Sequence, residues 1–209
     1  MEKLAKGLAD NIGKNLQYDS EKTAVVAYGL TAAFQMFTIF FVLSIVGSIW
    51  GFWAEGMIIF ILVGLLRKSV GGAHSKTFTG CVTYSIFFIS LMAFLSHYIA
   101  NPDLLYYYAI FSGLSFAVSY FVIYKKAPVD SPNKPIQREE KIRRLRINAF
   151  ITITIYLIAV AVLYYFSEEN LHFSGYGMSI TMAVLWQTFM LIEPGHKFMR
   201  IIDRKLVDF

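Results

Sequence analysis

The sequence has little charge. Only 16% of its residues are Asp, Glu, Lys or Arg, and 56% are hydrophobic, whereas about a quarter of a typical soluble domain is charged. The charged residues leave uncharged stretches of 21 to 32 residues, which lie at 23–54, 77–102, 104–124, 147–167 and 170–192. A membrane-spanning helix needs about 20 such residues. This pattern excludes an ordinary soluble domain and predicts an all-α, polytopic integral membrane protein.

Cysteine is scarcer still. The single cysteine, Cys81, excludes an internal disulfide and any metal site built from several cysteines. The four histidines are dispersed, and no two have the i, i+4 spacing of a zinc site on one helix; they are His74, His97, His172 and His196. We therefore expect neither a metal nor another cofactor, and we expect no nucleic-acid partner.

The apolar runs, including a shorter one that carries Glu55 near its beginning, predict six transmembrane helices in one domain over residues 1–209. We place them at 23–49, 51–66, 81–99, 104–124, 147–166 and 176–192. The second has only about 16 residues, which is marginal for a straight crossing, so we expect it to be tilted, re-entrant or surrounded by other helices. The first apolar run begins too late and is too long for a cleaved signal peptide, so we expect mature protein from the start.

The polar segment 1–22 has its own pattern. Leucine or isoleucine recurs at every fourth position, at Leu4, Leu8, Ile12 and Leu16. This spacing predicts an amphipathic helix. Such a helix either lies in the membrane interface or packs as a surface helix on the bundle.

The basic residues predict the orientation in the cell membrane. All 19 lysines and arginines precede the first predicted span, follow the sixth, or lie between spans two and three or four and five. Positive residues favour the cytoplasmic side, so we expect both termini, the loop 67–80 and the loop 125–146 to be cytoplasmic. The loop 125–146 is strongly basic. It serves membrane topology and lipid anchoring, attraction of an acidic substrate segment, or both.

Residues 67–81 hold the chemistry-bearing side chains. Cys81 begins the third predicted span, and His74 precedes it by seven residues. A cysteine beside a base is the minimum set for nucleophilic acyl chemistry, and a helix N-terminus or a neighbouring cation such as Lys76 lowers the pKa of a thiol. Spacing alone favours the simpler interpretation, in which Cys81 is a small buried side chain and His74 an ordinary loop residue.

The rest of this stretch also has two interpretations. Gly71-Gly72 suits a loop that turns back into the membrane, or a plain hinge. Arg67 would orient a substrate carbonyl or carboxylate, or anchor the end of the second span in the interface. On one straight helix, residues seven apart are separated by about 10.5 Å, whereas proton transfer needs roughly 2.6–3.2 Å. We therefore predict that the chain folds back between His74 and Gly80, which would bring the imidazole to the Cys81 sulfur.

These residues resemble the signature of the accessory gene regulator B (AgrB) family, membrane cysteine endopeptidases of Gram-positive bacteria that process a quorum-sensing propeptide. The sequence Ala-Pro-Val-Asp-Ser-Pro-Asn-Lys-Pro-Ile at 127–136 is similar to that family's loop after the fourth span. The resemblance implies that Cys81 is the nucleophile and His74 its general base. It implies supporting roles for the matching motif positions Arg67, Gly71, Gly72 and Lys76.

The substrate implied by the resemblance is an AgrD-like propeptide with an amphipathic leader, a central signal peptide and an acidic tail. Attack by Cys81 would release the tail and leave a thioester, and a side chain of the propeptide, commonly cysteine, would then capture the acyl group and close a thiolactone-type ring. We expect Lys134, Arg138 and Lys141 to recruit the substrate. No Asp or Asn has convincing spacing to His74, so we expect a dyad, and the resemblance favours a homodimer.

An alternative comes from another functional class. The chain would then be a small polytopic transporter or export channel for a peptide, with Cys81 incidental.

Overall fold

The computed structural model describes residues 1–73, 75, 77–99, 101–129 and 139–207. Four residues singled out above, His74, Lys76, Lys134 and Arg138, lie outside these ranges. The helices are α1 (Glu2–Asn15), α2 (Ser20–Trp50), α3 (Trp53–Val70), α4 (Phe78–Ile99), α5 (Leu105–Lys126), α6 (Glu139–Tyr165), α7 (His172–Phe189) and α8 (Glu193–Val207), with 3-10 turns at Pro102–Leu104 and Phe166–Glu168. In the described ranges the remaining β feature is one isolated bridge between Gly71 and Val129. The all-α prediction is confirmed.

Several of these helices are long and apolar enough to cross a membrane. They are α2, α4, α5 and α6 with its continuation to Glu168; α7 and α8, which are bent by 83° at a short break, make a fifth if they count as one span. The six predicted spans correspond in order to α2 through α7. However, α3 has 18 residues and carries Glu55, Arg67 and Lys68, so the six-span count stays a prediction.

Helices α3 and α7 form the centre of the bundle. Helix α3 packs against α2, α4, α6 and α7, and α7 also packs against α4, α5 and α6. Close packing is visible at Gly177 of α7, where a Cβ would lie 2.4 Å from the ring of Tyr164. Helix α3, the short second span of the prediction, is thus surrounded by other helices. On the perimeter, α2 exposes large apolar side chains such as Phe37, Phe41 and Ile45, a surface suited to lipid.

The acidic side chain near the start of α3, Glu55, pairs with a histidine of α4. Glu55 is buried, and its Oε1 lies 2.8 Å from Nδ1 of His97, near the end of α4. A buried carboxylate needs such a partner. This pair lies at the end of the bundle opposite to Gly71.

Helix α1 is shorter than predicted and packs through small residues. It ends at Asn15, and α2 begins after Asp19, whose carboxylate accepts a hydrogen bond from the Lys22 amide at 2.7 Å. The face towards α2 is formed by Ala5, Ala9 and Gly13. The leucines of the predicted stripe, Leu4, Leu8 and Leu16, are exposed. An apolar face therefore stays open on α1, and its placement in the membrane interface stays a prediction.

More of the segment 125–146 is helical than the sequence predicts. Helix α5 extends through Lys126, and α6 begins at Glu139, eight residues before the predicted start of the fifth span. Glu139 and Glu140 lie in the first described turn of α6, where acidic side chains interact favourably with the helix dipole. Lys141 consequently lies in the first turn of α6. Arg146, one turn further, donates a hydrogen bond from Nε to the Ala127 carbonyl at 3.0 Å.

Candidate active site

The chain between α3 and α4 interrupts the helical structure as predicted. Helix α3 ends at Val70 and α4 begins at Phe78. Arg67 therefore lies in the last turn of α3, and Gly80 lies near the start of α4. One straight helix through 71–84 would have kept the two candidate catalytic residues about two turns apart. That arrangement is absent, and the approach of the His74 imidazole to the Cys81 sulfur stays a prediction.

The glycine pair is where the interrupted chain docks on the rest of the protein. Gly71 and Gly72 have φ angles of 72° and 124°, which L side chains rarely adopt. A Cβ on Gly71 would lie 2.1 Å from the carbonyl oxygen of Val129. The Gly71 carbonyl accepts a hydrogen bond from Nε2 of Gln187 in α7 at 2.6 Å. The two glycines are required for positive φ and for this close approach.

Arg67 holds the residue that precedes His74. Its Nη2 donates to the carbonyl of Ala73 at 2.5 Å, and the Ala73 amide donates to the carbonyl of Met190 at 2.9 Å. Both backbone groups of Ala73 are therefore fixed. The positive charge of the Arg67 guanidinium also interacts electrostatically with the Cys81 thiol and the Tyr84 hydroxyl. It thus faces the loop and the thiol.

Thr77 caps the helix that carries the cysteine. Its Oγ1 accepts a hydrogen bond from the Gly80 amide at 3.1 Å, and its carbonyl accepts one from the Cys81 amide at 3.1 Å. This is the usual N-cap arrangement, in which a threonine side chain satisfies a free amide of the first turn. Cys81 is accordingly held in the first turn of α4, at the positive end of the helix dipole. From α1, the Glu2 carboxylate accepts a hydrogen bond from the Phe78 amide at 2.8 Å.

The thiol lies between an apolar wall and a polar edge. Cys81 is half-buried and packs against a cluster whose described members include Ala73, Met190, Phe88 and Trp186. The rings of Phe88 and Trp186 stack with centroids 4.6 Å apart. On the polar side are the Ser85 hydroxyl, the Arg67 guanidinium and the carboxylate of Asp203. The wall shields the thiol from water, and the polar edge supplies charge of both signs.

Two contributors to this site were missed by sequence reasoning, namely Gln187 and helix α8. The buried positions of α8 include Gly195, Met199 and Asp203, spaced four residues apart. Asp203 is only 9% exposed, and its Oδ1 accepts a hydrogen bond from the Ser75 hydroxyl at 2.5 Å. The signal was an acidic residue on the apolar face of an amphipathic pattern. Gln187 has no comparable signal, because its role depends on contacts with a loop more than a hundred residues earlier.

Comparison with known proteins agrees with the motif. The chain matches the model of the family described as Accessory gene regulator B over residues 5–191. It is 31% identical over 209 residues to "Putative AgrB-like protein 2" of Clostridium perfringens (strain 13 / Type A), covering 97% of this chain and 96% of that protein. It is 26% identical over 208 residues to "Putative AgrB-like protein" of Halalkalibacterium halodurans, covering 98% and 93%. No solved structure matches.

Proposed function

Because the chain belongs to the accessory gene regulator B family, we propose that it is a membrane-embedded cysteine endopeptidase acting on an AgrD-like propeptide. Membership implies involvement in quorum-sensing peptide processing, and the apolar helices fit the cell membrane. The observation that carries the proposal is the position of Cys81, capped in the first turn of α4 beside a loop whose backbone is fixed by Arg67, Gln187 and Met190. We treat residues 1–209 as one peptidase domain.

The first chemical step is cleavage of the propeptide. His74 takes the thiol proton, and the Cys81 sulfur attacks the carbonyl carbon at the end of the signal segment. The tetrahedral intermediate collapses when the carbon–nitrogen bond breaks and His74 returns the proton to the leaving amine. The tail departs with a free amino terminus, and the rest of the propeptide is held on Cys81 as a thioester.

The second step conserves the activated acyl group. A thiol within the propeptide attacks the thioester carbonyl, the bond to Cys81 breaks, and the sulfur of Cys81 leaves as thiolate and regains a proton. The product is a cyclic thiolactone, and the enzyme is returned unchanged. Thioester exchange needs no other energy source, because one thioester replaces another.

Basic side chains near the start of α6 would recruit the acidic tail. The described residues that line a groove there are two arginines, one glutamate and three apolar residues, namely Arg143, Arg146, Glu139, Ile142, Ile147 and Phe150. A surface with both charge and apolar area suits an acidic, partly apolar peptide. We place Lys134, Arg138 and Lys141 in the same recruitment role. Both termini and the loop 67–80 would face the cytoplasm, lipid would surround the bundle, and the working unit would be a homodimer.

The proposal is tested by cleavage of a propeptide by the purified protein in liposomes. Cys81→Ala, Cys81→Ser and His74→Ala should each abolish tail release, with insertion and thermal melting preserved. Thr79→Ala is the matched control, because Thr79 is an exposed residue of the same helical turn. Near-normal cleavage by Cys81→Ala or His74→Ala would overturn the proposal. Transport of the intact peptide by Cys81→Ala liposomes would instead support the transporter alternative.

A further inference from the structure

Helix α8 lies across the end of the bundle that carries the catalytic loop. It is bent by 83° from α7, and Gly195 at the bend allows the close approach, since a Cβ there would lie 2.1 Å from the Phe189 carbonyl oxygen. The ring of Phe198 packs edge-on against that of Phe88, with centroids 5.4 Å apart. Because Phe88 follows the first residue of α4 by about three turns, α8 lies beside α4 rather than beyond its end.

The composition of α8 suits a membrane surface. Six of its 15 residues are charged, namely Glu193, Lys197, Arg200, Asp203, Arg204 and Lys205. Charged side chains are costly in the hydrocarbon core, so α8 is unsuited to that region. A helix that carries charged and apolar residues on separate faces is typical of the membrane interface. We therefore place α8 in the plane of the membrane surface, nearly perpendicular to α7.

The inner face of α8 is attached to the candidate site. Gly195, Met199 and Asp203 are its buried positions. Met199 belongs to the same packed cluster as Cys81, and Asp203 accepts the hydrogen bond from Ser75 of the catalytic loop at 2.5 Å. A force that fixes α8 in place is therefore transmitted to the loop.

The outer face of α8 is basic and exposed. It carries Lys197, Arg200, Ile201 and Arg204. Among the described residues, one ion pair lies on this face, between Lys197 and Glu193 at 3.1 Å, so the two arginines give the face a net positive charge. Ile201, between them, is 59% exposed. Long basic side chains beside an exposed apolar residue fit the head-group region of a bilayer, where the charged ends reach phosphate and the apolar residue enters the acyl boundary.

We propose that the outer face of α8 binds anionic phospholipid head groups, and that this contact holds the helix against the catalytic loop. The effect on the loop rests on the proposed function, whereas the lipid contact does not. An acidic peptide would also suit these charges, but it must first be recruited, whereas head groups surround every helix in this plane. A basic residue near an anionic membrane surface contributes about five-fold to binding, so Arg200 and Arg204 together contribute roughly 25-fold.

The first test reads the position of α8 and needs no substrate. The full-length Cys81→Ser/Ile201→Cys protein carries an environment-sensitive fluorophore at position 201, in liposomes of phosphatidylcholine alone or mixed with phosphatidylglycerol. The anionic lipid should shift the emission towards that of an apolar environment. Salt should reverse the shift, because exposed charges are screened beyond about 8–10 Å. A label introduced by Leu171→Cys, at an exposed position beside Glu168 and Glu169, should not respond.

Substitution of the arginines identifies the charges that bind the lipid. Arg200→Gln/Arg204→Gln should weaken the response to phosphatidylglycerol by roughly 25-fold, and Arg200→Lys/Arg204→Lys should keep it. Lys125→Gln/Lys126→Gln is the matched control, because it removes two exposed charges from the last turn of α5. The same emission in both liposomes, or an equal loss in the control, would overturn the proposal. If the glutamine variant fails to fold, the salt titration of the labelled protein decides, since a salt-independent shift would contradict electrostatic binding.

The second test measures cleavage of the propeptide in the same two liposomes. Phosphatidylglycerol should raise the rate of the wild-type protein several-fold, and Arg200→Gln/Arg204→Gln should lose most of this gain. The loss should be the same for a propeptide whose tail carboxylates are replaced by amides. If the loss disappears with the neutral tail, α8 binds the peptide rather than the lipid, and the proposal is wrong.

The two tests separate failure of this proposal from failure of the proposed function. A shift of the label without any effect of phosphatidylglycerol on cleavage would overturn the link between the lipid contact and the loop. Absence of cleavage by the wild-type protein in either liposome would contradict the proposed function. The fluorescence measurement would then still decide whether α8 binds anionic lipid.

Discussion

Gly71→Ala should release the catalytic loop from the bundle. Gly71 has a φ of 72°, which costs an L residue about 1–2 kcal/mol. The new Cβ would lie 2.1 Å from the Val129 carbonyl oxygen, so the backbone contact between the two segments must open. That opening sacrifices the hydrogen bond from the Val129 amide to the Val70 carbonyl, worth about 1 kcal/mol net. The docked loop should lose about 2–3 kcal/mol, or roughly 30- to 160-fold in its equilibrium.

The assay is cleavage of the propeptide in liposomes together with thermal melting in detergent. Gly71→Ala should lower both the cleavage rate and the Tm. Gly64→Ala, in the preceding helix α3, is the matched control, because a Cβ there meets nothing within 4 Å and alanine is favoured over glycine in a helix by about 0.5–1 kcal/mol. Wild-type cleavage and an unchanged Tm for Gly71→Ala would refute the argument that docking of this glycine organises the site.

Two further predictions concern the cap of α4 and the basic segment. Thr77→Ala should destabilise the first turn of α4 by about 1 kcal/mol and slow alkylation of Cys81, whereas Thr79→Ala should change neither; equal behaviour of the two variants would contradict the capping role. Neutralising Lys134, Arg138 and Lys141 should raise KM more than it lowers kcat, and the difference should shrink with added salt, because exposed charges are screened beyond about 8–10 Å. A salt-independent loss confined to kcat would argue against electrostatic recruitment.

The helices were predictable because hydrophobic runs and charge gaps are local features of the sequence. Their ends were less predictable. The fifth predicted span was placed at 147–166 from the uncharged run, although α6 starts at Glu139. The first turns of α6 are charged, and a hydropathy pattern detects only the apolar part of such a helix. Helix α8 was missed for the same reason, since its basic residues interrupt the apolar ones and leave no long apolar run.

In the candidate site, too, local features were predictable from the sequence and contacts between distant segments were not. Cysteine, the glycine pair and the expected break in the helix are properties of one short stretch, and the break at 71–77 is present. The partners of that stretch are distant in sequence: Val129 follows α5, Gln187 lies in α7 and Asp203 in α8. Their contacts depend on how the helices pack, which no single stretch specifies. Arg67 shows the difference most clearly. Its two predicted roles were a substrate contact and an anchor in the membrane interface, and the structure shows a hydrogen bond from its guanidinium to the Ala73 carbonyl.

The central claim is that Cys81 forms a thioester with the propeptide, and intact-mass measurement tests it most directly. A propeptide whose capturing cysteine is replaced by alanine cannot cyclise, so the acyl-enzyme should accumulate. The predicted result is an adduct with the mass of the tail-less propeptide less one water, located at Cys81, removed by hydroxylamine and absent from Cys81→Ala. Release of the tail at the normal rate, with no such adduct at any time after mixing and with equal cleavage by Cys81→Ala, would contradict the account.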